Sequence, residues 1–242
     1  AKGETKIVNA AREPEIEDLS NCLIKMGAKI EGQGTKTILV QGVANLKKVE
    51  HQVISDRIVA GTYIIAALML NSSLEIKNFN TVYLKSLINI LKKMGAKLKV
   101  NKNSIKVFKG SKLKSTSIST SPYPGFPTDL QAQLMSLMCL SDGKSKIKET
   151  IFENRFMHVP ELNRLGANIT VDKDTATIIG NQTFKGAQVM ASDLRASISL
   201  VLAAMNANGQ TILNRVYHLD RGYENIEKTL GSLGAKIKRQ KN

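Results

Sequence analysis

Two arginines and three aspartates stand out in this sequence by type and spacing. Arg155 closes Ile151-Phe152-Glu153-Asn154-Arg155 and Arg221 closes Tyr217-His218-Leu219-Asp220-Arg221, each between a strand pattern and a helix pattern. The corresponding earlier stretch, Phe79-Asn80-Thr81-Val82, has no arginine. A guanidinium fork matches two oxygens of a phosphate or carboxylate. Arginines present in some copies of a pattern and absent from another therefore point to anion binding more than to scaffold. The other reading, surface arginines paired with neighbouring acids, stays open at this point. The aspartates are Asp56, Asp129 and Asp193, 73 and 64 residues apart, each just ahead of a helix pattern apolar nearly all round. A carboxylate there meets unpaired backbone N–H groups and the positive end of the helix dipole, so it serves the helix start alone or faces a site.

The elements that position these groups follow from local chemistry. Pro124 and Pro127 fix φ and disfavour helix in the residues before them, so Tyr123 to Pro127 reads as a stiff extended turn. Thr128 and Gln131 have the capping-box spacing and predict a helix start, with Asp129 in its first turn and Leu134 to Leu140 as a buried helix. Ser55-Asp56 before Tyr63 to Leu70, and Ser192-Asp193 before Ile198 to Met205, repeat the design, with a hydroxyl N-cap candidate each time. A second phrase, helix then Gly-Ala then strand, recurs around Gly27, Gly95, Gly166 and Gly234, at intervals of 68, 71 and 68 residues. Glycine just past a helix end tolerates the left-handed conformation that closes the helix. Ile16 to Met26 is the first helix of this kind.

One unit therefore reads capped buried helix, strand, amphipathic helix, Gly-Ala, strand, strand. The units run about 54–125, 126–190 and 191–242, while residues 1–53 hold only the second half of such a unit. The chain does not open on methionine, and it is expected to be cut inside an earlier repeat. Helices apolar all round need mutual burial, which predicts helices inside and sheets outside, with capped helix starts converging on one face that suits anionic ligands.

Composition bounds the function classes. The net charge of +15 comes from lysines spread over all elements, with 5% aromatic residues and no recognised nucleic-acid motif, so a solvated basic surface is expected and no nucleic-acid partner. No apolar run reaches a membrane span and no signal peptide is seen. Cys22 and Cys139 fall in separate helix patterns, read as small buried hydrophobes and not as a disulfide, which suits the cytoplasm.

Long motifs then carry a resemblance. Asn9-Ala10-Ala11-Arg12-Glu13-Pro14-Glu15, Tyr123 to Asp129, Thr150 to Leu162, Asp193-Leu194-Arg195-Ala196-Ser197 and Asp220-Arg221-Gly222-Tyr223-Glu224 resemble, in order, the UDP-N-acetylglucosamine enolpyruvyl transferases. The resemblance implies an inside-out α/β barrel of repeated helix-strand-helix-strand-strand units. Residues 1–53 would belong to the last repeat of an N-terminal domain absent here, and 54–242 would form the C-terminal domain. It implies transfer of the enolpyruvyl group of phosphoenolpyruvate to the 3-hydroxyl of UDP-N-acetylglucosamine. That is the first committed step of bacterial peptidoglycan synthesis, and so of cell-wall biogenesis, cell shape and division. Asp129 matches the general base that binds the sugar hydroxyl, and Asp193 an aspartate of proton transfer. Arg155 and Arg221 match arginines on anionic groups, Arg221 on phosphoenolpyruvate, and Ile151 a backbone contact to the UDP-sugar. No metal and no cofactor are implied. The family's cysteine loop and an amino-terminal lysine have no counterpart, since neither Cys22 nor Cys139 matches, so this chain alone is expected not to turn over. The sister shikimate-phosphate enolpyruvyl transferases share the repeat but would not carry these motifs as written. A non-catalytic half-enzyme that binds a ligand or partner is the alternative.

Overall fold

Residues 2–240 are described by the structure, a computed structural model; Ala1, Lys241 and Asn242, which fall in the outermost predicted units, lie outside the described residues. The chain begins with β1 (Glu4–Val8), α1 (Pro14–Lys25), β2 (Lys29–Glu31) and β3 (Thr37–Gln41), an antiparallel sheet in the order β1-β3-β2. Next come α2 (Arg57–Met69), β4 (Leu74–Lys77), α3 (Lys85–Lys93), β5 (Leu98–Asn101) and β6 (Ser104–Val107), with sheet order β4-β6-β5. Then follow β7 (Ser117–Ser119), α4 (Gln131–Leu140), β8 (Lys144–Lys148), α5 (Val159–Arg164), β9 (Asn168–Asp172) and β10 (Thr175–Ile179), ordered β7-β8-β10-β9. The chain closes with β11 (Gln188–Met190), α6 (Leu194–Asn206), β12 (Ile212–Asn214) and α7 (Ile226–Ser232), where β11 pairs with β12.

The Gly-Ala phrase ends α1, α3, α5 and α7 identically. Gly27, Gly95, Gly166 and Gly234 have φ of 104°, 96°, 98° and 99°. The alanine after each donates its N–H to a carbonyl five residues back, as Ala28 to Leu23 (3.0 Å) and Ala96 to Leu91 (2.9 Å). This is the helix closure that a left-handed residue permits.

Helices α2, α4 and α6 form the predicted inner layer. They run parallel and in register. Near their starts the Asp129 carboxylate meets Arg195, midway Ser136 Oγ donates to the Ser199 carbonyl (3.3 Å), and at the ends Asn206 donates to the Met69 carbonyl (2.9 Å). A Cβ on Gly61 of α2 would sit 2.7 Å from Leu130 Cδ1, so glycine there sets how closely the two helices approach. The sheets pack outside with apolar residues inward, such as Ile105, Val107, Ile147, Ala176 and Ile178. Lys106, Lys144, Lys146 and Lys148 point outward and add to the basic surface.

Three features differ from the sequence reading. Three strands, β1, β7 and β11, went unread; β7 and β11 are three-residue runs that pair in parallel with β8 and β12, a non-local pairing with no local periodicity to show it. No strand follows Gly234 among the described residues. In the other passes that strand pairs with the one after it, as β5 with β6, and the described chain has no such partner here. Cys22 is only half-buried, because α1 lies at the edge of the fold, whereas Cys139 is buried and its thiol pKa is pushed up to about 12. No described helix is long and apolar enough to cross a membrane.

Candidate active site

The three helix starts meet at one end of the inner bundle, but they are built differently. Asp56 and Asp193 cap their own helices: Asp56 Oδ1 accepts from the N–H of Ile58 (2.7 Å) and Val59 (3.0 Å), and Asp193 Oδ1 from Arg195 (2.8 Å) and Ala196 (3.0 Å). The predicted hydroxyl caps are therefore replaced by the aspartates beside them, and Ser55 Oγ donates instead to the Asn78 carbonyl. At α4 the predicted capping box does not form. Thr128 Oγ1 donates to Glu149 Oε2 (2.9 Å), and a 3₁₀ turn, Thr128–Leu130, leads into the helix. Pro127 blocks the preceding residue from helix and lends no N–H, so the turn tightens and Asp129 caps nothing. Its carboxylate is left to face other side chains.

Those side chains are Arg155 and Arg195. Arg155 Nη2 donates to Asp129 Oδ1 (3.3 Å), and the Arg195 guanidinium contacts the same oxygen. Asp129 Oδ2 has no hydrogen-bond partner among the described residues. Asn154, in the left-handed region at φ 53°, turns the backbone so that Arg155 points inward, its guanidinium 4.7 Å from the Phe152 ring centroid. Burial and the neighbouring Arg195 charge pull the pKa of Arg155 down, with Asp129, Asp193 and Glu149 opposing. Two guanidiniums held close and sharing one carboxylate oxygen leave donors for a further anion. His158, at the N-cap of α5, is buried beside this cluster. Burial drives its pKa down to about 4 against the pull of Asp193, so it is neutral near pH 7.

Ile151 lines a pocket of about 150 Å³ together with Asp129, Tyr123, Gly125, Arg57 and Glu13. Its N–H is committed to Glu149 Oε1 (2.9 Å), so a backbone contact from Ile151 to a ligand would use the carbonyl. Arg221 ends the 3₁₀ turn Val216–Arg221, is exposed, and has no ion-pair partner among the described residues. Its neighbour Gly222 packs on Leu194, where a Cβ would come 2.8 Å from Cδ2, which sets Arg221 beside the start of α6. Asp129 and Arg155 are thus joined directly, Asp193 is tied in through Arg195, and Arg221 stands at the edge.

Sequence reasoning left Arg195, Arg57 and Glu149 without roles. Arg57 is buried, pairs with Glu15 (2.9 Å), and lies 5.6 Å over Tyr123, joining α1 to the proline turn. Its signal was present: Asp56-Arg57 and Asp193-Leu194-Arg195 both place an arginine just after a capping aspartate. Glu149 had no local signal, because its four donors come from three separate stretches of chain.

With this geometry in view, comparison with known proteins is informative. The EPSP synthase (3-phosphoshikimate 1-carboxyvinyltransferase) family matches residues 1–230. A UDP-N-acetylglucosamine 1-carboxyvinyltransferase of Pelagibacter ubique is 54% identical over 239 residues, 99% of this chain and 57% of that protein. One of Azorhizobium caulinodans is also 54% identical, over 99% of this chain and 56% of the relative. This chain thus spans a little over half the length of the curated relatives it matches. Among solved structures, the enolpyruvyl transferase NikO from Streptomyces tendae superposes with a TM-score of 0.90 at 29% identity, over 98% of this chain and 57% of that one. An EPSP synthase from Acinetobacter baumannii, at 19% identity and a TM-score of 0.77 over 100% of this chain and 59% of that one, shares the fold.

Proposed function

The chain belongs to the EPSP synthase (3-phosphoshikimate 1-carboxyvinyltransferase) family, and from that premise we propose that it forms part of an enzyme that transfers the enolpyruvyl group of phosphoenolpyruvate to the 3-hydroxyl of UDP-N-acetylglucosamine. The acceptor is inferred from relatives of that name at 54% identity. In the reaction, the hydroxyl oxygen bonds to C2 of the enol and a proton adds to C3. Phosphate then leaves C2 as C3 gives up a proton, and the double bond is restored.

One observation supports this reading above the others. Asp129 is the aspartate of the three that does not cap its helix, and it sits between two guanidiniums with Oδ2 open. Oδ2 is suited to take the sugar hydroxyl's proton as the oxygen attacks. Arg155 and Arg195 are suited to hold the anionic donor beside it, with Arg221 closing from the start of α6. Asp193, whose Oδ1 is occupied as a cap, offers its second oxygen for proton transfer at C3. The Ile151 carbonyl and the proline turn would flank the nucleotide sugar.

Residues 1–53 are read as part of an N-terminal lobe and 54–242 as the C-terminal domain, with repeats about 54–125, 126–190 and 191–242. The coverage of little more than half of each relative fits this division, as does the exposure of Val8 and Ile7 on β1. The setting that goes with the reaction is the bacterial cytoplasm and peptidoglycan synthesis. The test is phosphate release from phosphoenolpyruvate, with UDP-N-acetylglucosamine or shikimate 3-phosphate as acceptor. It is run on this chain and on the protein extended to the length of its relatives. We expect release with the nucleotide sugar from the longer protein alone. Release with shikimate 3-phosphate would reassign the acceptor. Binding of the nucleotide sugar without release by the longer protein would favour a non-catalytic binding module.

A further inference from the structure

We propose that Glu149 is the positioning residue that holds Asp129 in register with Ile151 and Arg155, an inference that rests on the reading of Asp129 as the base. Glu149 is 4% exposed and has no ion-pair partner among the described residues. Its charge is instead met by four donors. Oε1 accepts from Thr120 Oγ1 (2.8 Å) and from the N–H of Ile151 (2.9 Å) and Phe152 (3.3 Å), and Oε2 accepts from Thr128 Oγ1 (2.9 Å). A polar group this buried needs such hydrogen bonds in place of those it would make to water.

The donors come from the segments that carry the chemistry. Thr128 immediately precedes Asp129, and Ile151 and Phe152 open the segment ending at Arg155. Thr120 is itself locked to this segment, accepting from the Thr150 N–H (2.8 Å) and taking the Thr150 hydroxyl on its carbonyl (2.6 Å). Among the described residues, two side-chain bonds join 127–130 to 149–155: Arg155 to Asp129, and Thr128 to Glu149. An anionic substrate competes for Arg155 and weakens the first. The Thr128–Glu149 bond is then what keeps Asp129 at a fixed place relative to Ile151 while the reaction runs.

Replacing Glu149 itself threatens the fold, so the bond is best cut from the other side, in the protein extended to the length of its relatives. Thr128→Val keeps the shape and removes the O–H, while Thr128→Ser restores it. A displacement of order 1 Å at a reacting group lowers rate by about 100-fold. We therefore expect Thr128→Val to lower kcat by roughly 10- to 100-fold with KM for phosphoenolpyruvate held within about 2-fold, and Thr128→Ser to recover most of the rate. The ¹³C carboxyl resonance of Asp129 should move in the valine variant and return in the serine variant. Wild-type rate with an unmoved resonance in Thr128→Val would overturn the inference. So would equal losses in kcat, KM and thermal stability with the resonance in place. If the wild-type protein releases no phosphate, the proposed function falls, and the Asp129 resonance alone decides the role of Glu149 in the same two ways.

Discussion

Asp129 and Arg195 meet although 66 residues separate them, because each stands at the start of one of two parallel buried helices. The contact joins the one non-capping aspartate to an arginine whose own backbone N–H is capped by Asp193. One carboxylate thus orients the helix that carries Arg195, and the other receives the guanidinium. The first prediction concerns this pair. In the protein extended to the length of its relatives, Asp129→Asn should lower kcat by about 10²- to 10⁴-fold, the usual range for loss of a general base, with a smaller change in KM. Steady-state phosphate release measures both. A variant within 10-fold of wild type would remove Asp129 from the chemistry.

The arginines give a second prediction. Arg155→Ala or Arg195→Ala should raise KM for phosphoenolpyruvate by about 10- to 100-fold, since a hydrogen bond to a charged partner contributes about 1.5–3 kcal/mol. Because both touch one oxygen of Asp129, the effects of Asp129→Asn and Arg195→Ala should not add. A double-mutant cycle should give a coupling of about 0.5–3 kcal/mol, and simple additivity would argue that the pair does not act as a unit.

What could be read in advance follows from the range of the forces involved. The glycine closures at 27, 95, 166 and 234 depend on one residue's φ and its nearest turn, so local sequence announced them. The buried helices announced themselves by being apolar all round, and Asp129 by the proline turn before it. Arg195 was marked only by its place after a capping aspartate and Glu149 by nothing local, because their roles lie in bonds to residues 66 and 21 positions away. The capping-box pattern at Thr128 misled for the same reason: the hydroxyl donates to a buried carboxylate elsewhere in the fold, and its oxygen caps no local N–H.

The closures themselves supply a third prediction. Gly27→Ala meets no atom within 4 Å and pays only for a left-handed residue with a Cβ, about 1–2 kcal/mol. Gly95→Ala carries that cost and also drives a Cβ to 2.8 Å from the Lys112 carbonyl oxygen, a backbone atom unable to swing aside. Overpacking of this kind adds about 1–3 kcal/mol. Urea denaturation of the two variants should show the larger loss at Gly95; equal losses would mean that residues near Lys112 yield freely.

The fourth prediction concerns acid stability and turns on His158. Its ordinary pKa is 6.5, and burial lowers it to about 4 in the folded chain. The unfolded chain therefore takes up the proton first as pH falls. The stability of the fold is whole above about pH 6.5 and is lost progressively as pH falls toward 4, by about 3 kcal/mol in full. His158→Gln keeps a polar side chain of similar reach but does not titrate. Its packing change lowers stability at pH 7 by about 1–2 kcal/mol, in the usual range for a buried substitution. Between pH 6.5 and 4, however, its urea midpoint should fall less steeply than that of the unsubstituted chain. Asp193 and Arg155, the charged groups that act on the ring, are present in both proteins, so the difference in slope reports the imidazole. Parallel acid limbs for the two proteins would show that His158 carries a proton in the folded state, with Asp193 close enough to pair with it.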